Sequence, residues 1–498
     1  MPAVSTTLIW ILTGLVLLGA LSMLAGAYEF LLLSLHGWHD HYDEASGQEL
    51  PRVAVLVPAW NEVNVLRFSI DHMMKLDYPA ERLRVVVVDD GSDDGTPELL
   101  ADKAEHYPGR VLGLRRENGG QGKAFTLNHG LGVLLADDWA EAILITDADV
   151  VFEASAIRRM VRHLADPTVG AVTAFIREAS EPPNWLNRYI GYEYCTAQAA
   201  GRRAQNVVGA QACLAGGAQL HSRANLEALG GQIDTSTLAE DTVTTFLTQL
   251  DGRRVIFDGN ATCLAEEPGA IAGLWKQRLR WSRGNVQVSI RFRRVFFRRS
   301  RQHHLGGPWF STMWLTTLLM PALMVLSSTA LVTLWFLAPA RAHSAFRWLW
   351  IISALAYVFT TTFALLVDRD VARRSWRQAI AFPGLINLSI VAWVLVPGPM
   401  HALVENICLA TGLGWSSRTR SLLALSAYIW VAACMLAAWL VYRIDRTGRA
   451  RPLVPYLLFI AGYGPLLCAI TFAAYVAEAR GTAAIWDKTI KTGKVGAR

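Results

Sequence analysis

The chain has 498 residues, 47 Lys and Arg against 41 Asp and Glu, and a formal net charge of +6. That length is ample for one substantial core with a membrane region added. Hydrophobic residues make up 52% of it and mean hydropathy is +0.27. These residues are unevenly spread, which excludes a plain soluble globule. The cysteines (Cys195, Cys213, Cys263, Cys408, Cys434 and Cys468) show no paired spacing, which argues against a disulfide framework or a zinc site and suits a reducing cytosol.

The first uncharged run extends from Thr7 to Leu35, broken only by Glu29. About 20 helical residues cross a hydrocarbon core, so it is long enough to span. Ala25-Gly26-Ala27 resembles a cleavage site, but no Lys or Arg precedes the run and the apolar region is too long for a signal peptide. Residues 1–36 are therefore expected to be a membrane anchor.

Between Arg52 and Arg301 no comparable run exists, and residues 50–270 read as an α/β domain. Arg52–Val57 is a buried-strand pattern ending at Pro58-Ala59-Trp60-Asn61-Glu62, and a helical pattern follows to Leu76. Arg84–Val88 is the next strand, closed by Asp89-Asp90-Gly91-Ser92-Asp93-Asp94-Gly95-Thr96. A helix with Pro97 in its first turn then runs to about His106. Val111–Leu114, a Gly122–Ala136 helix and Ala142–Thr146 ending at Asp147-Ala148-Asp149 continue the series. Strands alternating with helices predict a mainly parallel, doubly wound nucleotide-binding sheet. Ligands of such sheets bind at the carboxyl ends of the strands, where the acidic motifs stand.

Each motif suits a particular chemistry. Asp147 and Asp149 can both reach one hard cation, Mg²⁺ or Mn²⁺, which prefers oxygen ligands. Asp89–Thr96 fails as a calcium loop, because counting from Asp90 puts Ala101 where a glutamate is required. Asp89 or Asp90, with Glu62, is instead placed to accept hydrogen bonds from a base or ribose. Asn118-Gly119-Gly120-Gln121-Gly122-Lys123 is a glycine-rich helix entry suited to phosphate oxygens, although it is no Walker A loop. Glu240-Asp241 opens a helical segment, Thr242–Leu250, and offers a carboxylate for deprotonating a hydroxyl.

Residues 271–307 are expected to form amphipathic interface helices. Within them Gln277, Arg278, Arg280 and Trp281 combine an amide, guanidinium groups and a large aromatic ring. Arg280 can grip a diphosphate bidentately, and Trp281 can stack on a sugar ring. The arginines crowding Arg278–Arg301 match no nucleic-acid recognition motif, so membrane lipid headgroups are the expected partner and nucleic acid is not. By the positive-inside rule they place the polar insert in the cytoplasm. Further apolar runs cover Pro308–Ala340, Trp348–Val367, Ala379–Val404, Ser421–Tyr442 and Pro452–Val476 within a transmembrane and interfacial region, 308–478. Pro397-Gly398-Pro399 interrupts the third of these runs, and Pro455, Gly462, Gly464 and Pro465 leave room for a broken helix in the last. Residues 479–498 form a tail whose Lys488, Lys491 and Lys494 favour the cytoplasmic side.

Taken in order, Pro58…Asn61-Glu62, Asp89-Asp90-Gly91-Ser92, Gly122-Lys123, Asp147-Ala148-Asp149, Glu240-Asp241 and Gln277…Arg280-Trp281 form a specific set. With it the chain resembles the membrane-bound family 2 glycosyltransferases, most of all the poly-N-acetylglucosamine, hyaluronan, chitin and cellulose synthases. The likeness runs from about Arg52 to Phe310 and takes in the flanking membrane segments. It implies a GT-A type catalytic domain on the cytoplasmic face of the cell membrane, a UDP-sugar donor and inversion at the anomeric carbon. By that likeness Glu62, Asp89 and Asp90 hold the nucleoside, Asp147 and Asp149 the metal and nucleotide, and Lys123 and Arg280 the diphosphate. Asp241, beside Glu240, becomes the general base, and Gln277, Arg278, Arg280 and Trp281 the acceptor element.

There are departures. Ala239 stands where many relatives have threonine, and Val208–Cys213 only loosely matches the family's acceptor-lining segment. The tail Trp486–Gly493 resembles a terminal element folded against the catalytic domain. The expected activity is processive extension and export of a polysaccharide from UDP-N-acetylglucosamine, with a growing glycan as acceptor and an accessory membrane or export subunit as a further candidate partner. The alternatives are single-sugar addition to a lipid acceptor, or a non-catalytic nucleotide-binding export subunit.

Overall fold

The structure is a computed structural model that describes residues 6–36, 50–483 and 495. It divides into two compact units, one of Met1–Tyr28, Ala270–Ser282 and Thr312–Gly481, the other of Glu29–Gly269, Arg283–Ser311 and Thr482–Arg498.

The second unit is built on an 8-stranded sheet of order β3-β2-β1-β4-β7-β6-β8-β5. Its strands are β1 (Val53–Ala59), β2 (Leu83–Asp89), β3 (Val111–Arg115), β4 (Ala142–Ile145), β5 (Val151–Phe152), β6 (Val169–Glu178), β7 (Gln219–Ser222) and β8 (Arg254–Ala265). β1 lies parallel to β2 and β4, and β2 to β3, as the alternation of strand and helix predicts. Beyond β4 the sheet is mixed. β7 pairs antiparallel with both β4 and β6, β6 with β8 is parallel, and β5 with β8 is antiparallel.

The run Val53–Val57 is continuously apolar because both faces of β1 are covered. Val53, Val55 and Val57 pack with Leu66, Ile70 and Met73 of the helix Val63–Met73. Ala54 and Leu56 point the other way, to Leu127, Leu131 and Leu134 of the helix Lys123–Ala136. Each crossover therefore returns its strand with the carboxyl end at one edge, where Asn61, Asp89 and Asp147 follow.

Residues 271–307 form one helix, Ile271–Arg291, where several were expected. The chain then leaves helical geometry, with Phe297 at φ 59°. Burial of aromatic rings accounts for this. Phe292, Phe296 and Phe310 surround Phe246, with ring centroids at 5.1, 6.3 and 6.0 Å. The segment Trp486–Gly493 lies outside the described residues, while Val495 bridges Ser180 in antiparallel fashion.

Among the described residues, the helices long and apolar enough to cross a membrane are Thr6–Leu35, Pro308–Leu337, Pro339–Val367 and Ser417–Thr447. Two further helix pairs qualify only as bent spans, Arg369–Ala381 with Leu385–Leu395 (74°) and Arg451–Ala461 with Tyr463–Ala479 (93°). The expected run Ala379–Val404 is thus divided, and a new helix starts at Pro397. The two bends meet. Gly384 and Gly462 both have positive φ, and a Cβ on Gly384 would lie 2.6 Å from the Gly462 nitrogen. Only glycine allows that backbone approach.

Candidate active site at the strand ends

The ends of β1 and β2 are sewn together by their turn residues. Asn61 adopts φ 54°, a conformation asparagine tolerates better than most residues. Its N–H donates to Ser92 Oγ (2.8 Å), and its Oδ1 accepts the Asp93 N–H (3.0 Å). The Glu62 N–H reaches Thr96 Oγ1 (3.2 Å), and the Val63 N–H reaches Asp94 Oδ2 (3.1 Å). Burial alone would raise the Asp94 carboxyl, but hydrogen bonds from the Thr96 hydroxyl and the Val63 N–H outweigh it and hold the group below the usual value. Glu62 itself is half-buried beside this seam.

Asp89 and Asp90 are both buried yet used differently. Asp90 pairs with Arg116 and accepts the Gly120 N–H (2.9 Å), so it organises the glycine-rich loop. Arg116 also donates to Gln121 Oε1 (2.7 Å). Asp89 Oδ1 accepts the Ser92 N–H (3.0 Å), whereas its Oδ2 is buried without a hydrogen-bond partner, 3.3 Å from Arg115.

Lys123 brings the remaining acids together. It is buried at the start of its helix, with Nζ 2.7 Å from Asp147 Oδ1 and 3.5 Å from Glu240 Oε1, and it donates to the Gly216 carbonyl oxygen at 3.1 Å. Burial would push the ammonium down. The attraction of Asp147, Glu240 and Asp241 outweighs that, so the net shift is upward and the charge is kept. Asp241 Oδ1 accepts the N–H of Thr242 (2.6 Å). Its Oδ2 faces Gly216, where an added Cβ would come within 3.1 Å of it and 3.3 Å of Lys123 Nζ. Gly216 therefore keeps this space open. Next to it, Gly217 lies against Asp147, and its carbonyl accepts the Thr146 hydroxyl (2.8 Å).

Among the described residues no three His, Cys, Asp or Glu side chains are gathered as a metal shell. Asp147 and Asp149 are nevertheless half-buried at the end of β4, flanking the buried Ala148. Two carboxylates supply oxygen ligands of the kind Mg²⁺ or Mn²⁺ takes alongside water and phosphate oxygens, seldom in an all-protein cage. The residues present fit such an ion.

Gln277, Arg278, Arg280 and Trp281 all lie on the helix Ile271–Arg291, in the part that belongs to the first unit. Arg278 links two of the others. Its Nη1 donates to Gln277 Oε1 (2.6 Å), and its guanidinium lies 4.0 Å over the Trp281 ring. On the same helix Trp275 stacks on Tyr442 at 4.1 Å, and the Ala272 N–H donates to Asp445 (2.8 Å).

Reading the sequence missed Arg115, Arg116 and Gly216. The pair Arg115-Arg116 directly before the glycine-rich loop was a usable sign of anion or carboxylate partners, and Gly216-Gly217 a sign of close backbone approach. Cys213 lies near Asp241. Burial and that carboxylate push its thiol well up, and all the cysteines are free.

The sequence pattern of the family described as "Glycosyltransferase like family 2" matches residues 51–284. The "Probable glycosyltransferase YdaM" of Bacillus subtilis is 30% identical over 304 residues, covering 60% of this chain and 69% of that protein. A beta-monoglucosyldiacylglycerol synthase of Synechocystis is 31% identical, covering 56% of each chain. A poly-beta-1,6-N-acetyl-D-glucosamine synthase of Staphylococcus epidermidis is 26% identical, covering 49% of this chain and 57% of that one. The chain thus spans little more than half the length of the last two. The matched region takes in the whole sheet together with Lys123, Asp147 and Asp241, which meet beside it, and on these grounds the chain belongs to the family 2 glycosyltransferases, with a GT-A type fold.

Proposed function

We propose that the protein transfers a sugar from a UDP-sugar, with UDP-N-acetylglucosamine the preferred donor, to a growing glycan, and that it exports the product across the plasma membrane. The observation that carries this reading is the meeting at Lys123 of the strand-end Asp147 with Glu240 and Asp241 from a distant helix start. Acids so placed around a retained ammonium suit a leaving diphosphate on one side and an attacking hydroxyl on the other.

In this scheme Asp89, through the Oδ2 that makes no hydrogen bond and is ion-paired with Arg115, accepts a hydrogen bond from base or ribose, with Glu62 beside it. Asp90 works indirectly, by holding the glycine-rich loop through Gly120. Lys123 donates to the diphosphate. Asp241 takes the proton of the acceptor hydroxyl as its oxygen attacks the anomeric carbon, and the nucleotide leaves from the opposite face, giving inversion in one displacement. Asp147 and Asp149 would hold Mg²⁺ or Mn²⁺, which when bound neutralises charge on the departing diphosphate. Gln277, Arg278, Arg280 and Trp281 keep, as part of the same proposal, the sugar- and phosphate-binding role the family resemblance implies. The arginines ahead of Pro308 favour a cytoplasmic catalytic unit.

A second reading, addition of one sugar to a lipid, is favoured by the 31% identity to a glycolipid synthase. Detergent-purified protein should be given a panel of labelled UDP- and GDP-sugars with Mg²⁺ or Mn²⁺. Nucleotide release with a high-mass, glycosidase-sensitive product supports the polymer reading, and a chloroform-soluble product the second. No release from any donor overturns both and leaves a nucleotide-binding export subunit.

A further inference from the structure

The segment Gln211–Ala215 runs through the interior of the catalytic unit without a strand or helix of its own. Buried backbone donors must find partners, and here side chains supply them. The Gln211 N–H goes to Gln249 Oε1 (2.9 Å), Ala212 to Gln205 Oε1 (2.9 Å), Leu214 to Thr245 Oγ1 (2.8 Å) and Ala215 to Thr173 Oγ1 (2.9 Å). Gln249 completes a reciprocal pair, its Nε2 donating to the Gln211 carbonyl at 2.8 Å, so that its amide imitates a neighbouring strand.

Two of these partners belong to the helix that begins at Glu240. Asp241, Thr245 and Gln249 are spaced by four and share one face. Thr245 stands between the other two with its hydroxyl both donating and accepting. It donates to the Asp241 carbonyl oxygen (2.6 Å) and accepts the Leu214 N–H. Neither Thr245 nor Gln211 has any exposed surface, and Gln249 is 4% exposed. Two residues beyond Leu214 comes Gly216, whose carbonyl holds Lys123 and whose Cα faces the Asp241 carboxylate. One hydroxyl thus joins the turn that carries Asp241 to the segment that forms the opposite wall of the site.

We propose that Thr245 is a positioning residue for glycosyl transfer, its hydroxyl setting the gap between the Asp241 carboxylate and the Leu214–Gly216 wall against which the acceptor hydroxyl is held. This rests on Asp241 being the general base. Thr245 touches no reacting atom and acts through its two hydrogen bonds. Valine has nearly the shape of threonine but can make neither bond, while serine can make both.

The test compares full-length wild type, Thr245→Val and Thr245→Ser in detergent, with UDP-N-acetylglucosamine turnover and hydrogen exchange of the 211–216 backbone as readouts. Thr245→Val should lower kcat by about tenfold or more with donor KM within about twofold, since small misplacements of reacting groups are costly. It should also speed exchange at Leu214, and Thr245→Ser should restore both. The inference is overturned if Thr245→Val keeps wild-type kcat, if donor KM alone changes, or if serine is as slow as valine. Faster exchange at Leu214 alongside a wild type that turns over no nucleotide sugar would sink the transferase reading, and the proposal with it, leaving only a structural joint. Should Thr245→Val fail to purify, Thr245→Ala removes the same two hydrogen bonds and is read against Thr245→Ser, with the same outcomes deciding.

Discussion

The Lys123 ammonium sits 2.7 Å from the Asp147 carboxylate and 3.5 Å from that of Glu240, with only 7% of its side chain exposed. One lysine thus faces Asp147, Glu240 and Asp241 together, and the negative charge left over favours additional cations.

Lys123→Met should therefore destabilise the metal-free protein by about 1.5–3 kcal/mol, the range for a hydrogen bond to a charged group. The cost stays below that of a fully buried pair because Asp147 is 39% exposed and partly screened by solvent. Added Mn²⁺ should raise the melting temperature of the variant more than that of the wild type. An equal response to Mn²⁺ in both would show that Lys123 and the ion do not share these carboxylates.

Asp241→Asn should reduce transfer on the order of 10²-fold or more, as loss of a general base does. The amide oxygen can still accept the Thr242 N–H, so the helix start should be kept and the variant should still fold and bind nucleotide. Unchanged UDP release from the variant would move the base elsewhere.

Gly216→Ala probes the same space from the opposite wall. Its methyl group would lie 3.1 Å from Asp241 Oδ2 and 3.3 Å from Lys123 Nζ, both ends of side chains that can shift. The fold should survive, while kcat falls by roughly tenfold through displaced reacting groups. Steady-state kinetics beside a melting curve decides: a large drop in stability with normal kcat per folded molecule contradicts the assignment.

Acid should loosen the seam between β1 and β2. The Asp94 carboxyl is held below its ordinary value of 3.8, so its contribution is fully present above that pH and is lost as pH falls through the lower folded value. In Asp94→Asn that part of the acid dependence should vanish, and stability should change less with pH below about 4. Parallel acid denaturation curves for the two proteins would show that Asp94 does not titrate with unfolding.

Much of the catalytic half could be read from local pattern. Val53–Val57, Arg84–Val88 and Ala142–Thr146 are apolar because both sheet faces cover them, and each ends in Asn, Asp or Gly turn chemistry. The helix breaks at Pro397 and Gly462 were visible for the same reason, since proline and glycine act on their own backbone, whereas the 74° bend before Leu385 was not read from the sequence. The antiparallel far side of the sheet was not legible. β5 has two residues and β7 reads Gln-Leu-His-Ser, too short and too polar for periodicity, and β7 is a strand only because β4 and β6 lie on either side of it. Nor could sequence separate Asp89 from Asp90, because which one meets Arg115 and which meets Arg116 depends on a neighbouring strand end. Apolar spacing and turn residues act between near neighbours along the chain. The contacts of Lys123, Gly216 and Thr245 join segments that only the folded sheet brings within hydrogen-bond range, so the arrangement of the site was decided there.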